Sequence, residues 1–268
     1  MNDLTGTDSV IGIAGGMGPE AGGILFNKIL SHTKASKDQE HLSVMLMSLP
    51  KYIVDRTLFL QGAESVNPGI NIAKMILMLE SAGATIVGIP CNTSHVPEIY
   101  NVILQQLDLM NSKAKLVNMP FETCKAIKKK YPNITKVGLM ASNGTYRSDL
   151  YKDLFKQFGY DIILPEAEFQ NKVIHSIIYN PIYGIKANAG KVSAEVCMWI
   201  EQSLEFFRSR GAECIVLGCT EFSSVIEPGS VPDIFIVDST ECLAVALVNE
   251  ARKQQTRIRS EQISTTPI

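Results

Sequence analysis

Gly83-Ala84-Thr85-Ile86-Val87-Gly88-Ile89-Pro90-Cys91-Asn92-Thr93 aligns without gaps on Gly211-Ala212-Glu213-Cys214-Ile215-Val216-Leu217-Gly218-Cys219-Thr220-Glu221, an offset of 211 − 83 = 128. Each stretch carries a short apolar run to a cysteine that is followed at once by hydrogen-bonding residues. A second pair, Ile11-Gly12-Ile13-Ala14-Gly15-Gly16-Met17-Gly18 and Val137-Gly138-Leu139-Met140-Ala141-Ser142-Asn143-Gly144, repeats at 137 − 11 = 126. Two pairs at nearly equal spacing point to a duplicated half. Halves that face each other across a pseudo-twofold axis bring their equivalent sites to one cleft, where two thiols approach a ligand from opposite sides. A two-base proton transfer requires that arrangement.

Around these stretches, short β-branched runs alternate with longer amphipathic ones, the signature of an α/β fold with largely parallel sheets. Strands are expected at Val10–Ala14, Ser43–Leu49, Thr85–Pro90, Lys115–Asn118, Lys136–Met140, Asp161–Leu164, Glu213–Gly218 and Ile234–Val237. The spacing of Ile72, Ala73, Ile76, Leu77 and Leu79 predicts a helix over Asn71–Ala82 that stops at Gly83, and Val192–Arg210 behaves alike before Gly211. The repeat therefore includes the helix before each cysteine strand. Two pseudo-symmetric domains follow, 1–119 with 239–268 and 120–238, with the site in the cleft between them. The final helix, Ser239 to about Lys253, is expected to cross back onto the first domain, and the polar residues 254–268 to be loose.

The bulk properties narrow the function. A chain of 268 residues, 46% hydrophobic, can bury two medium cores. A net charge of −2, with basic residues scattered apart from Lys128-Lys129-Lys130, argues against a nucleic-acid partner. No apolar run approaches the roughly 20 residues of a membrane span. The N-terminal stretch has no basic segment leading into an apolar one, so no secretory signal is read and a cytoplasmic location is expected. The six cysteines read as thiols rather than as a disulfide framework. Cys124, Cys197, Cys214 and Cys242 fit buried packing positions.

Cys91 and Cys219 differ from those four because each ends a strand on the ligand-binding edge of a parallel sheet. A cysteine between a strand and a helix lies near the positive end of the helix dipole, which favours its thiolate. Neither has a Lys or Arg beside it in sequence, so the helix terminus and a substrate cation are expected to do most of the tuning. Asn92, Thr93 and Thr220 add donors suited to a carboxylate. Arg56, in the loop after the second strand, can clamp a carboxylate through two parallel hydrogen bonds, although a solvated loop charge is the alternative. Lys186 is similarly ambiguous. The glycines at Gly16-x-Gly18 invite a dinucleotide reading, but Pro19 removes a donor where pyrophosphate would sit, and Ser48-Leu49-Pro50 supplies no acid for a ribose. A metal site from Cys91, His95 and Cys219 lacks dense ligand spacing, and none is expected. His95 is read as packing or hydrogen bonding near the site.

These residues together resemble the aspartate/glutamate racemase family that works without pyridoxal phosphate, and within it the aspartate branch. The matching segments are Ile11–Pro19, Asp55-Arg56-Thr57, Pro90-Cys91-Asn92-Thr93, Ser142-Asn143-Gly144-Thr145 and Leu217–Glu221. Glutamate racemases have histidine after the second Cys-Thr, where this chain has Glu221; Glu20 departs from the apolar residue usual after the proline. The resemblance implies no cofactor, a homodimer, and a small amino-acid substrate. It implies Cys91 and Cys219 as the acid/base pair, Asn92, Thr93 and Thr220 at the α-carboxylate, Arg56 and Lys186 in substrate recognition, and Met17, Gly18, Ser142, Thr145 and Glu221 lining the pocket. Two alternatives stay open: a decarboxylase or cis–trans isomerase of a small dicarboxylate on the same fold, and a two-lobed amino-acid-binding protein.

Overall fold

The computed structural model of the chain describes residues 9–264 apart from 189, 228 and 230. All eight expected strands form: β1 (Val10–Gly15), β2 (Ser43–Ser48), β3 (Ile86–Gly88), β4 (Lys115–Val117), β5 (Lys136–Met140), β6 (Asp161–Ile163), β7 (Cys214–Leu217) and β8 (Phe235–Asp238). They make two four-stranded sheets of the same order, β2-β1-β3-β4 and β6-β5-β7-β8. Every pairing is parallel. The register also repeats. Ile11 pairs with Ile86, and Val137, its counterpart, pairs with Cys214, the counterpart of Ile86.

The duplication reaches the packing. The helix Pro68–Ser81 precedes β3 and the helix Ala194–Ser209 precedes β7. Leu79 of the first and Phe207 of the second, 128 positions apart, lie over Gly12 and Gly138 of the central strands. A Cβ on Gly138 would stand 2.6 Å from the Phe207 ring, so the glycine admits the helix to close contact with the sheet. Each helix is followed by a glycine in the left-handed region, Gly83 at φ 112° and Gly211 at φ 75°, where a side chain would be strained. Both helices start where a side chain caps them: Asn67 accepts from the Gly69 N–H at 2.8 Å, ahead of Pro68, and Ser193 accepts from Val196 at 3.2 Å. The first cap moves that start to Pro68, three residues before the expected Asn71.

Two expectations need correction. The last helix runs Ser239–Ser264, well past Lys253, so residues 254–264 are helical rather than loose. Gln254 accounts for part of the extension, because its Oε1 accepts from Ser9 Oγ at 3.1 Å and Thr85 Oγ1 at 2.9 Å. This helix buries Leu243, Ala244, Leu247, Val248 and Ala251 against Ile11, Ile13, Leu25, Ile29 and Ile86 of the first sheet and its covering helix. Cys197 is exposed, not buried. Its helix buries Val196, Ile200, Ser203 and Phe207, a stripe that turns position 197 to solvent. Residues before Ser9 and after Ser264 lie outside the described residues. No described helix is long and apolar enough to cross a membrane.

Candidate active site

In a sheet of order β2-β1-β3-β4 the chain leaves β1 in opposite directions for β2 and β3, so a crevice opens at the carboxyl ends of β1 and β3. Gly15–Gly18 and Cys91 stand there. In the second sheet Ser142–Thr145 and Cys219 stand at the corresponding ends of β5 and β7. The two crevices face each other, and one small cavity is lined by Met17, Arg56, Cys91 and Asn92 from the first half and by Ser142, Lys186, Cys219 and Glu221 from the second.

The segments after the cysteines are 3₁₀ turns, Asn92–His95 and Thr220–Ser224, not α-helices. Four or five residues sum only a small macrodipole. The sequence points to tuning by the helix termini and a substrate cation; side-chain charges from Arg56, Lys186 and Glu221 stand at the sulfurs in place of long helix termini.

Cys91 is buried beside Arg56, itself only 7% exposed. Burial works against the guanidinium, yet Cys91 and Asp55 outweigh it and its pKa is raised. Arg56 donates to the Met17 carbonyl at 3.2 Å and to the Val54 carbonyl at 3.3 Å, while its Nε, buried, has no hydrogen-bond partner. Asp55 caps the short helix Arg56–Leu60, accepting from the Thr57 and Leu58 N–H groups at 2.8 and 3.0 Å. The guanidinium is thus a cation held in place beside the Cys91 sulfur. Beneath it, His95 Nδ1 lies 2.9 Å from the Cys91 carbonyl and Nε2 accepts from the Met119 N–H at 3.4 Å. That pairing assigns the proton to Nδ1. Complete burial lowers the His95 pKa to about 4, so the ring is neutral and structural.

Cys219 has a different neighbourhood. Its thiol donates to Glu221 Oε2 at 2.9 Å, and Glu221 Oε1 pairs with Lys186 Nζ at 2.6 Å. Burial and the adjacent Glu221 carboxylate push the Cys219 thiol well above its usual range, with Lys186 opposing. The pair stays charged: burial disfavours both ions, but Lys186 holds the Glu221 carboxyl low and Glu221 holds the Lys186 ammonium high. Cys219 is therefore held as a thiol.

Hydroxyl groups close the cavity between the sulfurs. Thr93 Oγ1 lies 2.9 Å from Thr145 Oγ1 and 3.3 Å from Ser142 Oγ, joining the two halves. The enclosed space is about 10 Å³, at the limit of one water molecule. Thr220 lines it as well; Thr145 sits behind Thr93, and Gly18 lines a larger chamber outside. Asn92 is in the wall, but its amide is committed elsewhere, donating to Ser239 Oγ at 2.9 Å and accepting from Tyr151 OH at 2.7 Å. Its side chain holds the halves and the final helix together rather than offering a free donor.

Sequence reasoning missed Tyr179. Its hydroxyl donates to Asp55 Oδ2 at 3.0 Å across the cleft, and its ring lies 5.2 Å from Lys186 Nζ. In sequence it ends an apolar run, Ile177-Ile178-Tyr179, and reads as core. A larger groove, about 880 Å³, lies between the helix Met119–Lys130 and the final helix. It lacks the paired thiols and is not the candidate site. Among the described residues no group of three or more His, Cys, Asp or Glu is placed to hold a metal ion.

Comparison with known proteins agrees with this fold. The family model for Asp/Glu/hydantoin racemases matches residues 14–247. The broad-specificity amino-acid racemase RacX of Bacillus subtilis is 25% identical over 245 residues, 90% of this chain and 97% of that protein. The structure of the Picrophilus torridus aspartate racemase superposes with a TM-score of 0.74 at 28% identity, over 93% of this chain and 98% of that one. The glutamate racemase of Francisella tularensis, at 14% identity and a TM-score of 0.60, shares the fold. The chain belongs to the Asp/Glu/hydantoin racemase family and is an isomerase of the racemase type.

Proposed function

We propose that the protein interconverts L- and D-aspartate, and glutamate where the cavity opens far enough, by cofactor-independent proton transfer at Cα between Cys91 and Cys219. The carrying observation is the asymmetry of the two sulfurs: Cys219 donates its proton to Glu221, while Cys91 lies against the buried Arg56. One thiolate and one thiol are what a two-base step needs at the start. The Cys91 thiolate removes the α-proton from one face, and the Cys219 thiol delivers its own proton to the other. Negative charge passes from one sulfur to the other, with Arg56 and Lys186 as the respective counter-ions. The opposite enantiomer runs the same exchange in reverse.

The carbanion needs stabilisation without an electron sink. Thr93, Ser142 and the unpartnered Arg56 Nε supply donors in a cleft that excludes bulk water. The side-chain carboxylate of aspartate takes the place of Glu221 at Lys186. A cavity of about 10 Å³ cannot admit an amino acid as it stands, so the halves 1–119 with 239–268 and 120–238 act as lobes that open and close. A cytoplasmic homodimer is the setting proposed with this reading.

The test is cofactor-free incubation of the reduced protein with L-aspartate, and separately L-glutamate, in D2O, with α-proton loss followed by NMR and optical rotation followed alongside. Exchange accompanied by inversion supports the two-base reading. Binding without exchange overturns it and favours an amino-acid-binding protein.

A further inference from the structure

The chain passes from the second half back to the first between Asp238 and Ser239, and there three consecutive buried residues reach both cysteine loops. Ser239 Oγ accepts from Asn92 Nδ2 at 2.9 Å and donates to the Leu217 carbonyl at 2.6 Å. Asn92 follows Cys91 directly, and Leu217 stands two residues before Cys219. One hydroxyl therefore joins the ends of the two cysteine strands. Asp238 and Thr240 hold the other side of Cys219: Ser223 Oγ donates to Asp238 Oδ1 at 2.6 Å and lies 3.0 Å from Thr240 Oγ1. The carboxylate is fixed in turn, accepting from the Thr240 N–H at 2.8 Å and pairing through Oδ2 with Lys28 Nζ of the helix Pro19–His32 at 3.1 Å. Asp238, Ser239 and Thr240 do not themselves line the inner cavity.

We propose that Asp238-Ser239-Thr240 sets the spacing of the two sulfurs, with Ser239 as its central positioning residue. The proposal rests on the two-thiol reading of the inner cavity. A carbanion formed at one sulfur is trapped by the other only while both lie in reach of the same Cα, and a displacement of about 1 Å at such a pair costs on the order of a hundredfold in rate. Strand pairing does not fix that distance, because β3 and β7 belong to different sheets. Side chains must do it. The Ser239 hydroxyl is fully buried and uses both its donor and an acceptor position, so neither strand end moves without stranding a buried polar group. Ser239 reaches the residue after one cysteine and the backbone before the other, and it acts through them rather than on the substrate. The proton transfers stay those of the two sulfurs.

A displaced second sulfur leaves a distinct signature in D2O. It fails to trap the carbanion, which then recovers a hydron from the first sulfur with retention, and with deuterium once that thiol has exchanged with solvent. The full-length reduced protein, Ser239→Ala and Ser223→Ala are each incubated with L-aspartate and with L-glutamate in D2O, and deuterium in the recovered L-amino acid is compared with inversion. Ser239→Ala is expected to lower kcat for inversion about thirtyfold with KM changed less than about twofold, and to raise the ratio of retention exchange to inversion about fivefold. Ser223→Ala loosens only the half-buried turn after Cys219 and is expected to raise the same ratio by less. A smaller folded fraction lowers both rates together and does not move the ratio, so the ratio separates positioning from stability. A ratio unmoved in both variants overturns the proposal and leaves the racemase reading standing. If Ser239→Ala does not fold, Ser223→Ala decides alone. No exchange of either amino acid by the wild type removes both readings.

Discussion

Cys91 and Cys219 occupy equivalent positions in a duplicated frame, yet the two halves surround them differently. Strand order, register, the C-terminal glycine of the preceding helix and the 3₁₀ turn after the sulfur all repeat. The side chains do not. Cys91 has a buried arginine beside it and a neutral histidine four residues on. Cys219 has a carboxylate two residues on, tied to a lysine, and its fourth following residue is Ser223, which donates to Asp238 Oδ1 at 2.6 Å. The repeated backbone brings two sulfurs to one cavity; the unrepeated charges give them different surroundings, and Glu221 helps push the Cys219 thiol up.

The most severe way to break this asymmetry is to remove one sulfur at a time. Cys91→Ser and Cys219→Ser are each expected to lower racemisation about a thousandfold. Solvent deuterium should still enter one enantiomer in each variant, and a different one in the two. Exchange of the same enantiomer in both would place the surviving sulfur on the wrong face.

Next in size is acid sensitivity on the Cys91 side. His95 has a folded pKa of about 4 against an ordinary 6.5, so the unfolded chain binds more protons between those values. Stability therefore falls with falling pH across that window, by about 3 kcal/mol at pH 4. Denaturant unfolding of wild type and His95→Gln at pH 7, 5.5 and 4 is expected to show a shallower slope in the variant. The lowered carboxyls of Asp55 and Glu221 also lose their contributions as pH falls from their ordinary values, 3.8 and 4.5, toward the lower folded ones, but in both proteins alike.

On the Cys219 side, Glu221→Gln removes the acceptor of the thiol proton and leaves Lys186 unpaired. Both changes favour the thiolate, so the basic limb of the pH–rate profile should move to lower pH in the direction that uses Cys219 as acid. A rate loss of about tenfold at neutral pH is expected. An unmoved limb in both directions would detach Glu221 from the proton inventory. The smallest effect is at the seam. Tyr151→Phe leaves Asn92 Oδ1 without its 2.7 Å donor in a buried setting and should cost about 1 kcal/mol or more of unfolding free energy.

Much of this molecule was legible because it is written twice. Periodicity located all eight strands, and the offsets of 128 and 126 located the cleft, since parallel strands of one order must open at the same edge. The two thiols, Arg56, Lys186 and Glu221 were named from strand ends, residue type and resemblance, and they line one cavity. Tyr179 was not legible, because an aromatic residue closing an apolar run has the pattern of core whether it faces core or cleft. The commitment of Asn92 to Ser239 and Tyr151 was hidden for a similar reason: its partners lie 147 and 59 positions away.

Local sequence by itself determined the strands, the helix stops at Gly83 and Gly211 and the delivery of each cysteine to a sheet edge, because period, β-branching and glycine act over a few residues. Only the tertiary structure decided the electrostatics. The Arg56–Cys91 and Lys186–Cys219 pairings join segments 35 and 33 positions apart, and charge interactions depend on distance and burial, which no local pattern encodes.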